Sequence, residues 1–394
     1  MSIPRSRRHW LVVALALVLT AGAATAGATG LTANASLSGK KDTAAAKPAS
    51  AAHATSASTM AAGAHPVKFG LDYGSTLSDE TTAEIRANLQ DAATVGAKWI
   101  RVDLAWEKIQ PNDSWSYDWS SFDDITQAAG SLGLKVDAIL DATAYWDTSP
   151  ACKAGEPNTE FCPPDELSYF TDFAAAAARR YENSSVGAWE IWNEPNISAR
   201  WWPEPSPSGY AQMLTSVSQA IRGANPKAFV LMSGLAAVPD PPPAGRETEQ
   251  DFLTAVAAVP GALADVNAIS FHPFSGFVLP SVAGVYQDIS ASPDNLLSIL
   301  QKAGYPNLQI WLTEAGVAVG PGVTASNLTS QTAYATNLVQ TASKNSDISA
   351  AFWFSDQDIP AQQLFWGLRD AQGKARPAFA AFGAAIKACG CSSP

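Results

Sequence analysis

Two short apolar segments of this chain each end in a glutamate. The first is Trp189-Glu190-Ile191-Trp192-Asn193-Glu194-Pro195-Asn196, and the second is Gln309-Ile310-Trp311-Leu312-Thr313-Glu314-Ala315-Gly316. Two carboxyl groups facing each other across one bond can divide the work of breaking it. One protonates the leaving oxygen while the other attacks carbon or activates water. Glycoside hydrolysis needs that pair, at a separation of roughly 5–5.5 Å for double displacement with retention and roughly 6.5–9.5 Å for inversion. Alternation along the first strand puts Glu190, Trp192 and Glu194 on one side and Asn193 on the other, unless the strand end twists. Pro195 stops the strand and removes a backbone donor beside Glu194. The rival reading, Glu194 as a simple cap on the next helix, fits poorly with a buried strand flanked by Trp189, Trp192, Trp201 and Trp202.

Composition removes other chemistries. The 394 residues carry a formal charge of −11, and no window supplies the basic patch that a nucleic-acid partner requires. There are four histidines (His9, His53, His65, His272), no HExxH and no paired CxxC. A histidine-rich metal centre is therefore excluded, and no metal or cofactor is expected, although an oxygen-ligand calcium site stays open. Hydrophobic residues make up 47% and charged residues 15%, enough apolar material for a large core. Thirteen tryptophans exceed what packing alone requires and lean toward sugar binding.

The two glutamates need a scaffold that brings strand ends together. Short apolar runs predict strands at Val67–Leu71, Lys98–Val102, Lys135–Leu140, Ala188–Trp192, Ala228–Met232, Ala268–Phe271, Gln309–Leu312 and Ala350–Phe354. They are mostly continuous rather than alternating, as parallel strands covered on both faces should be. Helical patterns fall between them at Asp79–Val95, Phe122–Ser131, Glu166–Tyr181, Ser208–Gly223, Glu249–Val259, Asp294–Ala303, Thr329–Ser343 and Pro377–Ala388. Ser78 before Asp79-Glu80, and Pro164-Asp165-Glu166, supply N-terminal cap chemistry. The count is that of an α/β fold, a (β/α)8 TIM barrel in a single catalytic domain at 66–388. The competing doubly wound sheet lacks a G-x-G-x-x-G after the first strand, and there is no P-loop.

Outside the barrel, residues 1–26 read as an export signal. Arg5, Arg7 and Arg8 precede an apolar run from Trp10 to Leu19 and a cleavage site at Ala24-Thr25-Ala26. Ser6-Arg7-Arg8-His9-Trp10-Leu11 is similar to a twin-arginine signal with Trp in place of Phe, and an ordinary signal or an uncleaved anchor remain alternatives. Residues 27–65 are rich in Ala, Ser and Thr and read as a flexible linker. A short tail, 389–394, carries Cys389 and Cys391. In an exported protein the four cysteines imply disulfides with three possible pairings. Cys152 with Cys162 would staple the loop after the third strand, whereas a bond between Cys389 and Cys391 is expected to be strained. The protein is expected to be secreted or held in the cell envelope, and to be a monomer.

On these residues the chain resembles the clan A retaining glycoside hydrolases, families 39 and 5 in particular, over 67–385. The resemblance implies that Asn193-Glu194 is the acid/base motif ending the fourth strand and that Glu314, ending the seventh, is the nucleophile. Trp99-Ile100-Arg101-Val102-Asp103 is similar to the second strand of that clan, whose arginine lies near the nucleophile. Ser270-Phe271-His272-Pro273-Phe274 is similar to the sixth. Ala351-Phe352-Trp353-Phe354 is similar to the eighth, whose tryptophan floors the first sugar subsite and is expected to precede a non-proline cis peptide, here Trp353–Phe354. Phe274 departs from the pattern, since many relatives carry an aromatic hydroxyl there that hydrogen-bonds the nucleophile. Tyr145 or Tyr286 would have to replace it, or Arg101 alone supports Glu314.

The roles and their rivals follow. Glu194 should have a raised pKa, as a neutral carboxyl held beside the ionised Glu314. Arg101 keeps Glu314 ionised, or else forms a structural ion pair with Asp103 or another core acid. Asn193 bonds the sugar 2-hydroxyl, or else forms a turn. His272 contacts a sugar hydroxyl, or else is a satisfied core histidine. Trp146, Trp201 and Trp202 are subsite platforms, or else helix packing. Trp106 and Tyr145 are weaker platforms, and Trp115 and Trp119 read as packing. The expected function is a secreted retaining glycosidase acting by double displacement on β-linked bonds of an oligo- or polysaccharide. A non-catalytic carbohydrate-binding or cell-wall protein on the same fold, and a transglycosidase, are the alternatives.

Overall fold

The computed structural model describes residues 65–273 and 295–394. The expected signal, almost all of the linker, Phe274 and Tyr286 lie outside the described residues. Eight strands pair in parallel, each with the next, and the last closes on the first: β1 (Lys68–Gly74), β2 (Trp99–Ala105), β3 (Lys135–Asp141), β4 (Val186–Asn193), β5 (Val230–Ala236), β6 (Ala268–His272), β7 (Gln309–Ala315) and β8 (Ile348–Phe354). The chain is thus a (β/α)8 barrel.

Helices wrap the strands because each carries one apolar stripe. In Leu167–Arg180 the buried residues are Phe170, Phe173, Ala174, Ala177 and Ala178, the spacing of one helical face. The alanines let the backbone approach the sheet, and the two phenylalanines fill the space against Trp106. The first barrel helix, Thr82–Thr94, starts later than Ser78 suggests. Thr81 and Glu84 form its capping box, and Ser78 belongs to a preceding 3-10 turn at Thr76–Asp79. Glu166 precedes Leu167–Arg180 without a side-chain cap. Among the described residues no helix is long and apolar enough to cross a membrane.

The barrel interior is layered. Its floor is a sealed apolar plug of Trp99, Ala188, Leu231, Ala268, Trp311, Ala350 and Phe352, with the Trp99 and Trp311 rings edge to face at 5.3 Å. The floor holds rings this large because Gly70 and Gly187 leave room. A Cβ at Gly70 would overlap the Phe352 ring, and one at Gly187 would overlap Trp99. Two residues further along the strands, the inner face turns from apolar to charged. Asp72 of β1, Arg101 of β2 and Asp137 of β3 sit side by side in register.

The fifth strand runs beyond its expected end at Met232, through Ser233 and Gly234 to Ala236. Small polar residues read as a loop, but here they continue the ladder. A Cβ at Gly234 would overlap the His272 ring, so only glycine lets β5 pass beside that side chain. The cysteines pair as Cys152–Cys162, stapling the loop after β3, and as Cys389–Cys391, a bond the sequence spacing disfavoured.

The plug gives a direct test of this packing. Gly70→Ala should lower stability by about 1–3 kcal/mol, the usual cost of overpacking a filled core. It is read from the denaturant midpoint, and an unchanged midpoint would mean that the floor is loosely filled.

Candidate active site

Arg101 is the centre of the charged layer. It is 1% exposed. Its Nε donates to Glu190 Oε2 at 2.8 Å, and Nη1 donates to Asp72 Oδ2 at 2.8 Å and to Glu314 Oε1 at 2.7 Å. Its Nη2 donates to Asn193 Oδ1 at 2.8 Å and to Glu190 Oε1 at 3.3 Å. Arg101 thus meets both expectations, bonding Glu314 and pairing with core acids, which are Asp72 and Glu190 rather than Asp103. Asn193 has its carbonyl oxygen committed to Arg101, which turns the amide nitrogen into its available donor.

The end of β4 does not alternate. Trp192 and Glu194 adopt left-handed φ values of 72° and 49°, conformations that non-glycine residues take only where the surroundings impose them. The result overturns simple face counting. Glu190 and Asn193 both reach Arg101, while Trp192 turns outward against Phe170 and Trp201 and donates its indole N–H to the Arg200 carbonyl. The turn is held by backbone as well, since Glu194 N–H donates to the Gly234 carbonyl at 2.9 Å.

His272 links the two candidate carboxyls. It is fully buried, with Nδ1 3.0 Å from Glu194 Oε1 and 3.6 Å from Glu314 Oε1. Its Nε2 lies 3.0 Å from Thr313 Oγ1, which is in turn 3.5 Å from Glu190 Oε1. One ligand atom each of Glu194, His272 and Glu314 fall within 4.8 Å of one another. Such a trio can offer three donors to a cation. However, Arg101 already presents its charge to Glu314, and His272 is committed to Glu194, so the arrangement is a charge-paired site rather than a metal nest.

Burial would lower the His272 pKa, but the charge of Glu314 and the bond to Glu194 raise it above its ordinary value. Burial alone would push Glu194 up. The His272 hydrogen bond, followed by the charges of His272, Arg200 and Arg101, outweighs it and holds the carboxyl below its usual range. This corrects the expectation of a raised pKa, which rested on the neighbouring carboxylate and a partly apolar cleft and left out the His272 hydrogen bond and the two arginines. Beneath the site, burial pushes Asp72 up to about 8 against the pull of Arg101. Burial and then the charge of Glu190 drive Asp137 well above the carboxylate range. Neither Asp137 oxygen accepts a hydrogen bond among the described residues.

The expected aromatic platforms fare differently. Trp353 faces outward: it is fully buried against Tyr334 and Phe382 and donates to the Trp366 carbonyl. Its place in the barrel mouth belongs to Phe354, two residues after the inward-facing Phe352, with Trp366 edge-on at 6.3 Å. The non-proline cis peptide is likewise one residue later, at Phe354–Ser355. Trp201 is also core, buried between Trp192 and Tyr210. Trp146 is half-buried, packed edge-on against Trp106 and Tyr169, with its indole N–H bonded to the Gln110 carbonyl. Trp202 is half-buried over Gly155 of the stapled loop. Tyr145 is exposed beneath Lys153, and Trp115 is exposed rather than packed, whereas Trp119 stacks on Phe173.

Reading motifs alone missed Asp72, Asp137, Glu190, Thr313 and Arg200. A period-two count finds two of these, since Gly70 and Ala188 precede Asp72 and Glu190 by two as Trp99 precedes Arg101, and Asp137 is the register partner of Arg101 on the next strand.

A family model described as cellulase (glycosyl hydrolase family 5) matches residues 62–358. None of the curated proteins matches the chain in sequence. Among solved structures, the chain is similar to a family 39 glycoside hydrolase from the gut symbiont Bacteroides cellulosilyticus WH2, at TM-score 0.58 and 20% identity. That match covers 82% of this chain and 64% of the other, so the chain spans just under two thirds of that enzyme. It is also similar to a family 5, subfamily 18 enzyme from Streptomyces cattleya in complex with Manb1-4GlcNAc, at TM-score 0.61 and 17% identity over 83% and 82% of the two chains. A monomeric β-xylosidase from Caulobacter crescentus CB15 gives TM-score 0.57 and 17% identity over 82% and 69%. At these identities the likeness is one of fold.

The charged layer makes a pH prediction. An unfolded aspartate loses its proton near pH 4 (about 3.9), while native Asp137 keeps it to much higher pH, so over that interval the native state binds the extra proton and stability falls as pH rises. Asp137→Asn removes this penalty and keeps the shape. Its stability relative to wild type should grow as pH rises above about 4, read from denaturant midpoints across pH. A difference independent of pH would contradict the protonated state.

Proposed function

The chain belongs to glycosyl hydrolase family 5, and from that premise we propose that it is an exported, retaining glycosidase acting on β-linked oligo- or polysaccharides. The observation that carries this reading is the spacing of the carboxyls. One oxygen of Glu194 and one of Glu314 lie within 4.8 Å of each other, close enough for the two carboxyls to flank a single glycosidic bond and supportive of direct attack by Glu314.

Glu314 is the nucleophile. Arg101 fixes one of its oxygens at 2.7 Å and keeps the carboxyl aimed at the barrel mouth. Glu194 is the acid/base: it protonates the glycosidic oxygen as the C–O bond breaks, and Glu314 closes on the anomeric carbon. In the second half, Glu194 takes a proton from water, which displaces Glu314 and restores the starting anomer. Asn193, its oxygen held by Arg101, offers Nδ2–H to the sugar 2-hydroxyl, a bond that tightens as positive charge develops at the ring. Export rests on the Arg5-to-Ala26 pattern.

Activated aryl glycosides test the assignment. Glu314→Ala should abolish turnover, and Glu194→Ala should lose roughly 10²–10⁴-fold on substrates with poor leaving groups and much less on activated ones. Proton NMR should detect the β anomer as the first product from a β substrate. An initial α anomer, or wild-type turnover in Glu314→Ala, would overturn the proposal.

A further inference from the structure

A general acid needs a proton, yet Glu194 is held as a carboxylate. Three positive or polarised groups face it: His272 from β6, Arg101 from β2, and Arg200 from the stretch after β4, with Glu314 of β7 as the neighbouring negative charge. The first two are buried and locked, His272 by Thr313 and Arg101 by Asp72 and Glu190. Arg200 is different. Its side chain is 22% exposed, its Nε stands 3.8 Å from Glu194 Oε2, and its guanidinium makes no hydrogen bond among the described residues.

The surroundings place Arg200 with care. The guanidinium carbon lies 4.5 Å from the centre of the Phe161 ring. Phe161 adjoins Cys162, whose disulfide to Cys152 closes that loop, and the Phe161 carbonyl accepts from Trp202 N–H at 3.1 Å. The Arg200 backbone is pinned through its carbonyl by the Trp192 indole. Facing the guanidinium are Asp103 of β2, Asp141 of β3, Glu160 of the stapled loop, and Glu194. A guanidinium with every donor unspent, held by its flat face beside an acid, is built to make hydrogen bonds to something that arrives.

We propose that Arg200 is a positioning residue that sets the protonation of Glu194: it holds the carboxylate ionised in the free enzyme and turns its N–H donors to the sugar that fills the leaving-group side of the cleft. With that charge engaged elsewhere, Glu194 takes a proton from solvent, passes it to the glycosidic oxygen as the bond breaks, and regains one from the attacking water. The inference rests on the reading of Glu194 as acid/base.

The test uses Arg200→Met and Arg200→Lys. The Glu194 carboxyl is titrated by carbon NMR of side-chain-labelled protein, with its signal assigned by its loss in Glu194→Gln; this needs no turnover. Arg200→Met should raise the Glu194 midpoint by roughly one pH unit, and Arg200→Lys by less. In kinetics, the alkaline limb of kcat/KM reports the free enzyme and that of kcat the complex. Wild type should show the kcat/KM limb at lower pH than the kcat limb, and Arg200→Met should move the former up toward the latter. A Glu194 midpoint that stays at its wild-type value in Arg200→Met overturns the proposal, as do limbs separated as in wild type. A midpoint that moves while Glu194→Ala retains full turnover upholds the Arg200 contact and overturns the acid/base assignment instead.

Discussion

A single guanidinium at the centre of the barrel answers to three carboxyl groups and an amide at once. Arg101 reaches Asp72, Glu190, Glu314 and Asn193 with three nitrogens, and every one of these bonds crosses from one strand to another. Taking a charge out of water costs several kcal/mol unless its partners replace the lost hydration. That requirement dictates much else. The carboxyls must converge on Arg101, so β1, β4 and β7 must be in register with β2. Asp137, in the same layer but accepting no hydrogen bond among the described residues, resolves its own burial by keeping a proton.

The apolar plug below and the C-terminal strand ends above give this layer its direction. Trp99, Trp311 and Phe352 close the floor, so the charges face a wall of low dielectric on one side and the cleft on the other. At the mouth, the left-handed turns at Trp192 and Glu194 bring Asn193 to Arg101 and Glu194 to His272. The strain of that turn is offset by its anchors: the Trp192 indole on the Arg200 carbonyl, and the Glu194 amide on the Gly234 carbonyl. The histidine fits only because β5 has glycine at 234.

Much of this was legible in the sequence, for physical reasons. Parallel strands covered on both faces must be continuous apolar runs, and helices between them must carry an apolar stripe, so the eightfold alternation and the two glutamate-ended strands could be read directly. The strand ends they occupy pointed Glu194, Glu314, Asn193 and His272 toward one rim, and the resemblance to the clan A enzymes added Arg101. What escaped was local geometry. Trp353 sits one residue from an inward position, and a one-residue step moves a side chain to the other face of a strand. The turn at Trp192 is the strand-end twist that the sequence left open, and nothing in the residue pattern announced that it would occur. Glu194 was expected to hold its proton because the carboxylate across the cleft is evident in the sequence, whereas His272 and Arg200 meet it only through folding.

The central claim is that Arg101 holds Glu314 as the attacking carboxylate. A panel of 2-deoxy-2-fluoro β-glycosides with activated leaving groups should trap the glycosyl-enzyme, and peptide mass mapping would locate the label. The account predicts one label per chain, on Glu314. Label on Glu194, on Glu190, or on any residue outside the reach of Arg101 would contradict it.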